Sequence, residues 1–535
     1  MQTTYSRRTH SSISALSKSA RNQSASKLAL RSAVGIVLFL STVPMIYLFI
    51  RAAQKPFGQS VDLLFRAKTL QVLGTTAILV LAVVVLTLIF GVTLASALHF
   101  VRLPFRSILI IPTVLPLAIP SYVFTYTWIA FVPGFSGTFA AIFILTLSTL
   151  PYVILATLAG LRSVDESQIE VARSLGLSNY EIFFRVVLPQ VKGHISAGVL
   201  LSALYTLSDF GAVSLLNVES LTVTIQNIYR ASYDRGAAAV IALVLIAFST
   251  IVVIIDDRVK NRTKAGEAVK APTSKQVLIE SKGTRLITLF ILTSLFIVSI
   301  AIPFYVLITR FLDNRVTINW PDLLSASLST LLVAAIGAAI ALVLAAPLGI
   351  LLSGRSDKFT RFAQRIITVG HGLPGVVVGL ALVSVGSKLG VIYQTIFFLG
   401  FAYALLFLAK LVASINASLA RVPSGVKDVA TSLGANPWAV IKKVVAPIAA
   451  PGISLGTILV FLTAMKELPV TLMLRPTGLE TLATEIWSSA AINRFNEAAP
   501  YALILVLIAA LPTFLISRPD KADRMFVNES MGSEK

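Results

Sequence analysis

Two segments of the sequence carry the same order of acidic, small and turn-forming residues. They run Glu170-Val-Ala-Arg-Ser-Leu-Gly176 and Asp428-Val-Ala-Thr-Ser-Leu-Gly434, 258 residues apart without a gap. Each predicts a short helix that a glycine ends, because glycine readily adopts the left-handed backbone conformation found at helix C-termini. A short amphipathic helix beside such a turn is suited to docking on another protein rather than to lining a pore.

Different residues encode this helix-turn-helix shape in the two segments. In the first, two serine-glutamate pairs predict capping boxes at the starts of the two helices, Ser163 with Glu166 and Ser178 with Glu181. The second uses Asn436 as a cap and Pro437 at the first helical position. Because two different sets of residues predict the same helix-turn-helix, the helix-turn-helix itself is the feature that both segments preserve.

A further pair of acidic residues lies at the ends of two apolar runs. Asp209, in Leu207-Ser-Asp209, and Glu467, in Met465-Lys466-Glu467, are also 258 residues apart. An ionised residue at the bilayer centre costs about 2.5 to 3.5 kcal/mol, so such a residue usually faces a cavity or a partner. We predict that both line a pathway and attract a hard, oxygen-preferring cation. In the alternative, Glu467 pairs with Lys466 or caps a broken helix.

Other chemistry is poorly supported by the sequence. The chain has no cysteine, and its four histidines are scattered at His10, His99, His194 and His371, without metal-ligand spacing. The Gly-x-x-x-x-Gly-Lys-Ser/Thr pattern of nucleotide-binding loops is absent. The net charge of +21 does not indicate nucleic acid, because the basic residues lie in short loops between apolar runs.

The composition places these residues in a membrane protein. Of 535 residues, 56% are hydrophobic and only 13% are charged, whereas a soluble domain carries about 25% charged residues. The mean hydropathy is +0.85. An all-α, polytopic membrane protein follows, because apolar runs of about 20 residues are long enough to cross a bilayer as helices.

Twelve apolar runs predict twelve transmembrane helices, in two sets of six. They are 32–50, 72–98, 107–131, 139–161, 195–216, 237–255, 287–309, 328–352, 366–386, 391–413, 452–473 and 498–517. The predicted organisation is a basic, disordered tail (1–31), a first half (32–256), a polar linker (257–285), a second half (286–517) and a C-terminal tail (518–535). Most of the 45 Lys and Arg then lie on one side, which predicts that both termini are cytoplasmic.

Similarity between the two halves indicates an internal repeat. At the offset of 258 residues the matches include Gly91 with Gly349, Gly198 with Gly456, and Ile228-Tyr229 with Ile486-Trp487. Because each half has an even number of predicted spans, the two repeats should be parallel and related by an axis along the membrane normal. Such an arrangement places a pathway between the halves.

The duplicated segments resemble the EAA loop of ATP-binding-cassette importer permeases, which reads Glu-Ala-Ala, three residues, Gly, nine residues, an aliphatic residue, one residue, Leu-Pro. The matching positions are Glu170, Ala172, Gly176, Val186, Leu188 and Pro189 in the first copy and Asp428, Ala430, Gly434, Val444 and Pro447 in the second. Val171, Val429 and Ala446 depart from it. The resemblance implies a type I importer permease fold whose two loops couple to an ATPase. An ordinary interfacial helix is the alternative.

The segment around the second acid resembles the fused, two-half permeases of ferric-iron importers. It runs from Lys466 to Trp487, and its part from Thr471 onwards reads TLMLRPTGLETLATEIW. The resemblance implies a non-enzymatic permease in a bacterial inner membrane that imports ferric iron delivered by an extracytoplasmic binding protein. Two ATPase subunits would bind the ATP and Mg, and the chain itself would hold no cofactor or metal.

Three alternatives remain open at this point. The substrate could be thiamine, a polyamine or another small solute. A major-facilitator-type secondary transporter also has twelve spans, but the loop His99-Phe-Val-Arg-Leu-Pro-Phe-Arg106 lacks its Gly-x-x-x-Asp-Arg-x-Gly signature. A membrane-embedded enzyme lacks a cluster of ionisable residues suited to acid-base catalysis.

Overall fold

The computed structural model describes residues 3–104, 106–232, 234–263, 281–313, 317–353, 357–370 and 372–516. Within these ranges the backbone forms helices and no β-strand, which confirms the all-α class. The central part of the predicted linker and the predicted C-terminal tail lie outside the described residues. The domain boundaries stay predictions.

The first half of the sequence contains long helices joined by short ones. The α-helices are Thr3–Ala53, Phe57–Phe65, Ala67–Phe100, Arg106–Leu109, Ile111–Val114, Ser121–Phe131, Gly137–Leu161, Glu166–Ser174, Asn179–Ile182, Leu188–Ser208, Gly211–Leu215, Leu221–Asn227 and Arg235–Thr263. A 3₁₀ turn (Leu115–Ala118) and two π-helical turns (Phe183–Val187 and Ile228–Ser232) connect some of them.

The second half has a similar succession of helices. Its α-helices are Lys282–Phe296, Ile302–Phe311, Trp320–Leu352, Lys358–Gly370, Gly375–Gly386, Ile396–Ala420, Ser424–Ser432, Pro437–Val440, Ala446–Met465, Pro469–Leu474, Leu482–Ala491 and Phe495–Ile516. The connecting turns are Ile297–Ala301, Gly390–Ile392 and Ile441–Val445.

Among the described residues, nine helices are long and apolar enough to cross a membrane. A tenth span is formed if Ile111–Ala118 and Ser121–Phe131, which meet at an angle of 101°, are counted together. Two shorter apolar helices, Gly375–Gly386 and Phe495–Ala510, lie in the ninth and twelfth predicted segments. Each of the twelve predicted segments therefore contains an apolar helix, as expected of a polytopic membrane protein.

Several predicted spans are broken rather than continuous. The predicted ninth span is two helices, because Pro374 cannot continue a helix across the gap from Gly370 to Gly375. The predicted fifth and eleventh spans extend beyond their helices, which end at Ser208 and Met465. Short separate helices follow each of these ends.

The prediction of a disordered N-terminal tail was wrong for the described backbone, which is helical from Thr3 to Ala53. Residues 1–31 contain no proline or glycine. A helix that is already nucleated by an apolar span gains one hydrogen bond for each further residue. The span therefore extends into the basic segment.

The chain divides into two compact units that do not follow its linear order. The first unit comprises Met1–Ile46, Ala334–His371 and Gly400–Ala464. The second comprises Tyr47–Val333, Gly372–Leu399 and Met465–Lys535. In the second unit, the Leu188–Ser208 helix packs against three others, Ala67–Phe100, Gly137–Leu161 and Arg235–Thr263.

Paired glycines support the internal repeat at the level of packing. A Cβ atom on Gly198 would lie 2.8 Å from the Val153 Cα and 3.0 Å from the Ala156 Cβ, in the second unit. Within the first unit, Gly456 packs in the same way against Leu411 and Ser414. These neighbours are also 258 residues apart in sequence, so both halves bring two helices together at an equivalent glycine.

Substitution of Gly198 by alanine should lower stability. The added methyl would also meet the Tyr152 carbonyl oxygen at 2.8 Å, and an overpacked helix contact costs about 1 to 3 kcal/mol. Gly74→Ala is the matched control, because a Cβ there meets nothing within 4 Å. Thermal unfolding of the two variants in detergent checks this. Equal stability of the two would contradict the close crossing.

Candidate functional site

The first duplicated segment forms a helix, a turn and a second helix. Glu166–Ser174 ends before Gly176, whose φ angle is +79°. The Gly176 amide donates to the Arg173 carbonyl at 3.0 Å, and the Leu177 amide donates to the Ala172 carbonyl at 3.2 Å. The left-handed glycine thus closes the helix as the sequence predicts.

The second segment repeats these bonds with other side chains. Gly434 has a φ angle of +83°. Its amide donates to the Thr431 carbonyl at 3.0 Å, and the Ala435 amide donates to the Ala430 carbonyl at 3.1 Å. Each of these residues lies 258 positions after its counterpart in the first segment, which confirms that the helix and its glycine turn are duplicated.

The helix caps agree with the sequence except at one position. The Ser178–Glu181 capping box is present. Asn436 caps as predicted, because its Oδ1 accepts from the Ala439 amide at 2.7 Å. The Ser163–Glu166 box was wrong: the Ser163 hydroxyl donates back to the Gly160 carbonyl at 2.7 Å, and Asp165 caps the helix by accepting from the Ser167 amide at 3.1 Å. Asp165 lies directly before the helix and displaces the more distant serine.

The first copy's remaining predicted residues occupy distinct structural places. Glu170 is exposed on the Glu166–Ser174 helix, while Ala172 is buried in the core of the second unit. Pro189 is the second residue of Leu188–Ser208, directly after the π-helical turn Phe183–Val187.

The second copy keeps the same arrangement. Pro447 is likewise the second residue of Ala446–Met465, and Ala430 is half-buried. The side chain of Asp428 lies outside the described set.

Each copy exposes large apolar side chains at equivalent positions. In the first copy these are Val171, Leu175 and Tyr180, and in the second Val429, Leu433 and Trp438. Leu175 is 76% exposed and Leu433 is 83% exposed. We call these two sets the docking faces. Several exposed large apolar side chains close together in sequence suit a protein interaction site.

Asp209 lies at the opposite end of the Leu188–Ser208 helix from the first docking face. Its side chain is buried, and one carboxylate oxygen accepts a hydrogen bond from the Ser121 hydroxyl. The other oxygen accepts from the Ala212 and Val213 amides at 3.0 and 3.3 Å. The carboxylate therefore satisfies the first amides of the next short helix.

Glu467 has the equivalent position in the second half. Its Oε1 accepts from the Val470 amide at 3.0 Å, at the start of Pro469–Leu474. The neighbouring Lys466 ammonium donates to the Leu117 carbonyl at 2.7 Å. This is the capping arrangement that the sequence left open as an alternative, and it holds for both acids. A role in the substrate pathway stays a prediction.

Two neighbouring cavities that the sequence did not reveal lie beside these caps, with volumes of about 330 and 420 Å³. Ser214, Asn217 and Trp487 line both of them. Asn217 has a left-handed backbone, with φ of 56°, and the Trp487 indole donates to the Ser214 hydroxyl at 3.1 Å. Asparagine tolerates this left-handed conformation better than most residues other than glycine. The asparagine at position 217 was therefore the only local indication of this turn in the sequence.

The helices that follow the caps begin in the same way in both halves. Ser220 caps Leu221–Asn227, and Thr481 caps Leu482–Ala491. The first amide of each helix, at Leu221 and at Leu482, donates to a threonine hydroxyl. The acceptors are Thr76, at 3.1 Å, and Thr330, at 2.8 Å.

This shared start corrects the predicted register of the repeat. Ser220 and Thr481 are 261 residues apart rather than 258, because the turn before Thr481 is longer. Gln226 therefore corresponds to Trp487, and the predicted match of Tyr229 with Trp487 was wrong. Both Gln226 and Trp487 line the larger cavity.

The described residues contain no group of three or more His, Cys, Asp or Glu side chains that could hold a metal ion. Asp209 and Glu467 already accept backbone hydrogen bonds. What the site offers instead is two docking faces, and a polar cavity beside capped helix breaks.

Comparisons with known proteins agree with this arrangement. Residues 87–265 and 345–518 each match the family described as binding-protein-dependent transport system inner membrane components. The Fe(3+)-transport system permease protein FbpB 2 of Haemophilus influenzae is 31% identical over 494 residues, which cover 91% of this chain and 96% of the relative.

Relatives that span only half of the chain carry other names. The sulfate transport system permease protein CysW of Synechocystis is 26% identical over 262 residues, 44% of this chain and 91% of the relative. The sulfate transport system permease protein CysT of Salmonella typhimurium is 25% identical over 258 residues, 44% of this chain and 92% of the relative.

Two domains of this family on one multi-pass helical chain define a membrane-embedded component of a transport system. This chain belongs to the family of binding-protein-dependent transport system inner membrane components and carries two copies of the family's domain. Membership excludes the secondary-transporter alternative.

Removal of the Asp209 carboxylate should destabilise the protein, because it strands the Ser121 hydroxyl and two backbone amides. Asp209→Ala should cost about 1 to 3 kcal/mol, and Asp209→Asn, which keeps one acceptor, should cost less. Thermal unfolding measures both. The control is Asp62→Ala, at an exposed position. A fully stable Asp209→Ala variant would contradict the capping role.

Proposed function

We propose that this chain is the permease of an ATP-driven importer, and that its substrate is ferric iron delivered by an extracytoplasmic binding protein. The observation that carries the proposal is the duplicated docking face on a chain of this family. Each face is exposed and apolar, and each is held by a left-handed glycine. Two equivalent faces suit two copies of one partner, which we take to be the ATPase subunits.

ATP hydrolysis is assigned to these partners. The chain lacks the Gly-x-x-x-x-Gly-Lys-Ser/Thr pattern, so ATP and Mg would be bound by the ATPase subunits. The excess of Lys and Arg near the docking faces supports a cytoplasmic position for them and for both termini. The docking faces would then transmit ATP-driven movements to the long helices that begin at Leu188 and Ala446.

The proposal of ferric iron rests on the length of the similarity. The Haemophilus influenzae relative, whose name specifies Fe(3+) transport, aligns with nearly the whole fused chain. The sulfate permeases align with less than half of it. Sulfate is the competing substrate, because those relatives belong to the same family.

Rigid docking turns should be required for transport. Gly176→Val and Gly434→Val together would place β-branched residues at positive φ, at a cost of about 1 to 2 kcal/mol each. Crowding is not the cause, because a Cβ at either position meets nothing within 4 Å. ATP-dependent uptake and stimulated ATPase activity should fall sharply while membrane insertion persists.

The matched control for this change is Gly176→Asn with Gly434→Asn, because asparagine tolerates a left-handed backbone. The double asparagine variant should keep most of the transport activity. Equal losses in the asparagine and valine variants would show that the turn conformation is not what matters.

Reconstitution with the cognate ATPase and binding protein tests the substrate. Proteoliposomes should accumulate labelled ferric iron only when ATP is supplied, and thiamine or a polyamine in excess should not compete. They should not accumulate labelled sulfate. Sulfate uptake without iron uptake would assign the competing substrate, and uptake driven by a pH gradient alone would contradict the ATP-driven mechanism.

A further inference from the structure

The larger cavity has the size and lining of a small-ligand site. Its volume of about 420 Å³ lies within the range of about 300 to 1,000 Å³ that such sites occupy. Its walls come from both halves of the sequence, within the second unit. The lining residues are Phe210, Ser214, Asn217, Val218, Glu219, Val223, Gln226, Asn227, Arg230 and Trp487.

Gln226 is the unusual member of this lining. Its side chain is 2% exposed, yet neither its Nε2 nor its Oε1 has a hydrogen-bond partner. A buried polar group without a partner is costly. Gln226 also lines the cavity, and a rotation of its side chain would present this unpaired amide to a polar ligand there.

The charge of the cavity is positive. Arg230 has no carboxylate partner among the described residues, and its guanidinium lies 6.0 Å from the centre of the Trp487 ring. The carboxylate of Glu219 is engaged by the Lys68 ammonium at 3.0 Å. Asp209, next to Phe210, is engaged by its capping bonds.

A second arginine, Arg475, lies near Arg230 and is balanced by its own carboxylate neighbours. Burial lowers the pKa of the Arg475 guanidinium below its ordinary value, Glu485 opposes this shift, and the like charge of Arg230 adds to it. Arg475 also forms an ion pair with Glu480. The two guanidinium groups are therefore close enough to repel, and Arg230 is the one that faces the cavity.

These groups do not suit a bare cation. A hard trivalent ion requires several oxygen ligands that carry negative charge, and the one carboxylate in the lining is already paired with a lysine. Guanidinium and amide N–H groups instead bind oxyanions, and arginine does so with charge-assisted, bidentate hydrogen bonds.

We propose that this cavity binds a small oxyanion, held by Arg230 and Gln226. The oxyanion could be free, or it could be the phosphate or carboxylate that ligates a ferric ion. The second case rests on the proposed function and means that iron passes the cavity as an anionic complex. Trp487 supplies the apolar wall, and Asn217 and Asn227 supply further amide donors.

Calorimetric titration of the purified chain in detergent tests the proposal, with inorganic phosphate, citrate and ferric citrate as probes. At least one should bind, and Arg230→Gln should weaken that binding about tenfold or more, because it removes a charge-assisted bond. The control is Arg494→Gln, an exposed arginine that pairs with Glu497 and lines neither cavity. That variant should bind as the unaltered protein does.

A second variant separates binding from folding. Gln226→Met keeps the side chain's length but removes the unpaired amide, so it should weaken anion binding and raise the unfolding temperature. A variant that loses both affinity and stability would indicate a structural glutamine and contradict the proposal. So would the failure of every probe to bind, or equal losses in Arg230→Gln and Arg494→Gln.

The probes distinguish the source of the anion. Tighter binding of ferric citrate than of citrate would assign a ferric complex, and equal binding would assign a free anion. Anion binding without iron uptake would refute only the proposed substrate. Iron uptake without anion binding would refute only this inference.

Discussion

The structure depends on how broken helices satisfy their backbone groups in an apolar protein. A helix that ends inside or beside a bilayer leaves amide and carbonyl groups that water does not reach, so side chains must bond them. Asp209 and Glu467 do so for amides, and Lys466 does so for the Leu117 carbonyl. The hydroxyls of Thr76 and Thr330 accept from the next helices. The need to bond free backbone groups at the helix ends therefore accounts for the charged residues there, without any role in transport.

The capped breaks also define what lies beside them. Because Asp209 holds Gly211–Leu215 at the end of a long helix, Ser214 and Asn217 are placed against Trp487 from the other half of the sequence. This helix is part of the helical run Asn179–Ser208, which carries Tyr180 of the first docking face near its other end. One continuous helix therefore links a surface suited to a protein partner with a polar cavity, which is the connection that coupled transport requires.

Local features could be predicted from the sequence, and long-range ones could not. The turns at Gly176 and Gly434 and the box at Ser178 depend on residues within a few positions, so their patterns are sufficient. The capping role of Asp209 depends partly on Ser121, which is 88 residues away, and no pattern reveals it. Gln226 was missed because a longer turn shifts the repeat register by three residues. The box at Ser163 failed because Asp165, directly before the helix, caps it instead by accepting from the Ser167 amide.

The central claim is that the two docking faces bind an ATPase, and site-specific crosslinking tests it most directly. The chain has no cysteine, so Leu175→Cys and Leu433→Cys each give a unique attachment point for a maleimide-benzophenone reagent. Leu81→Cys, which is exposed on the apolar surface of Ala67–Phe100, is the control. Irradiation of the assembled transporter should join the ATPase subunit to the first two positions and not to the third. Capture at only one docking face, or at neither, would contradict it.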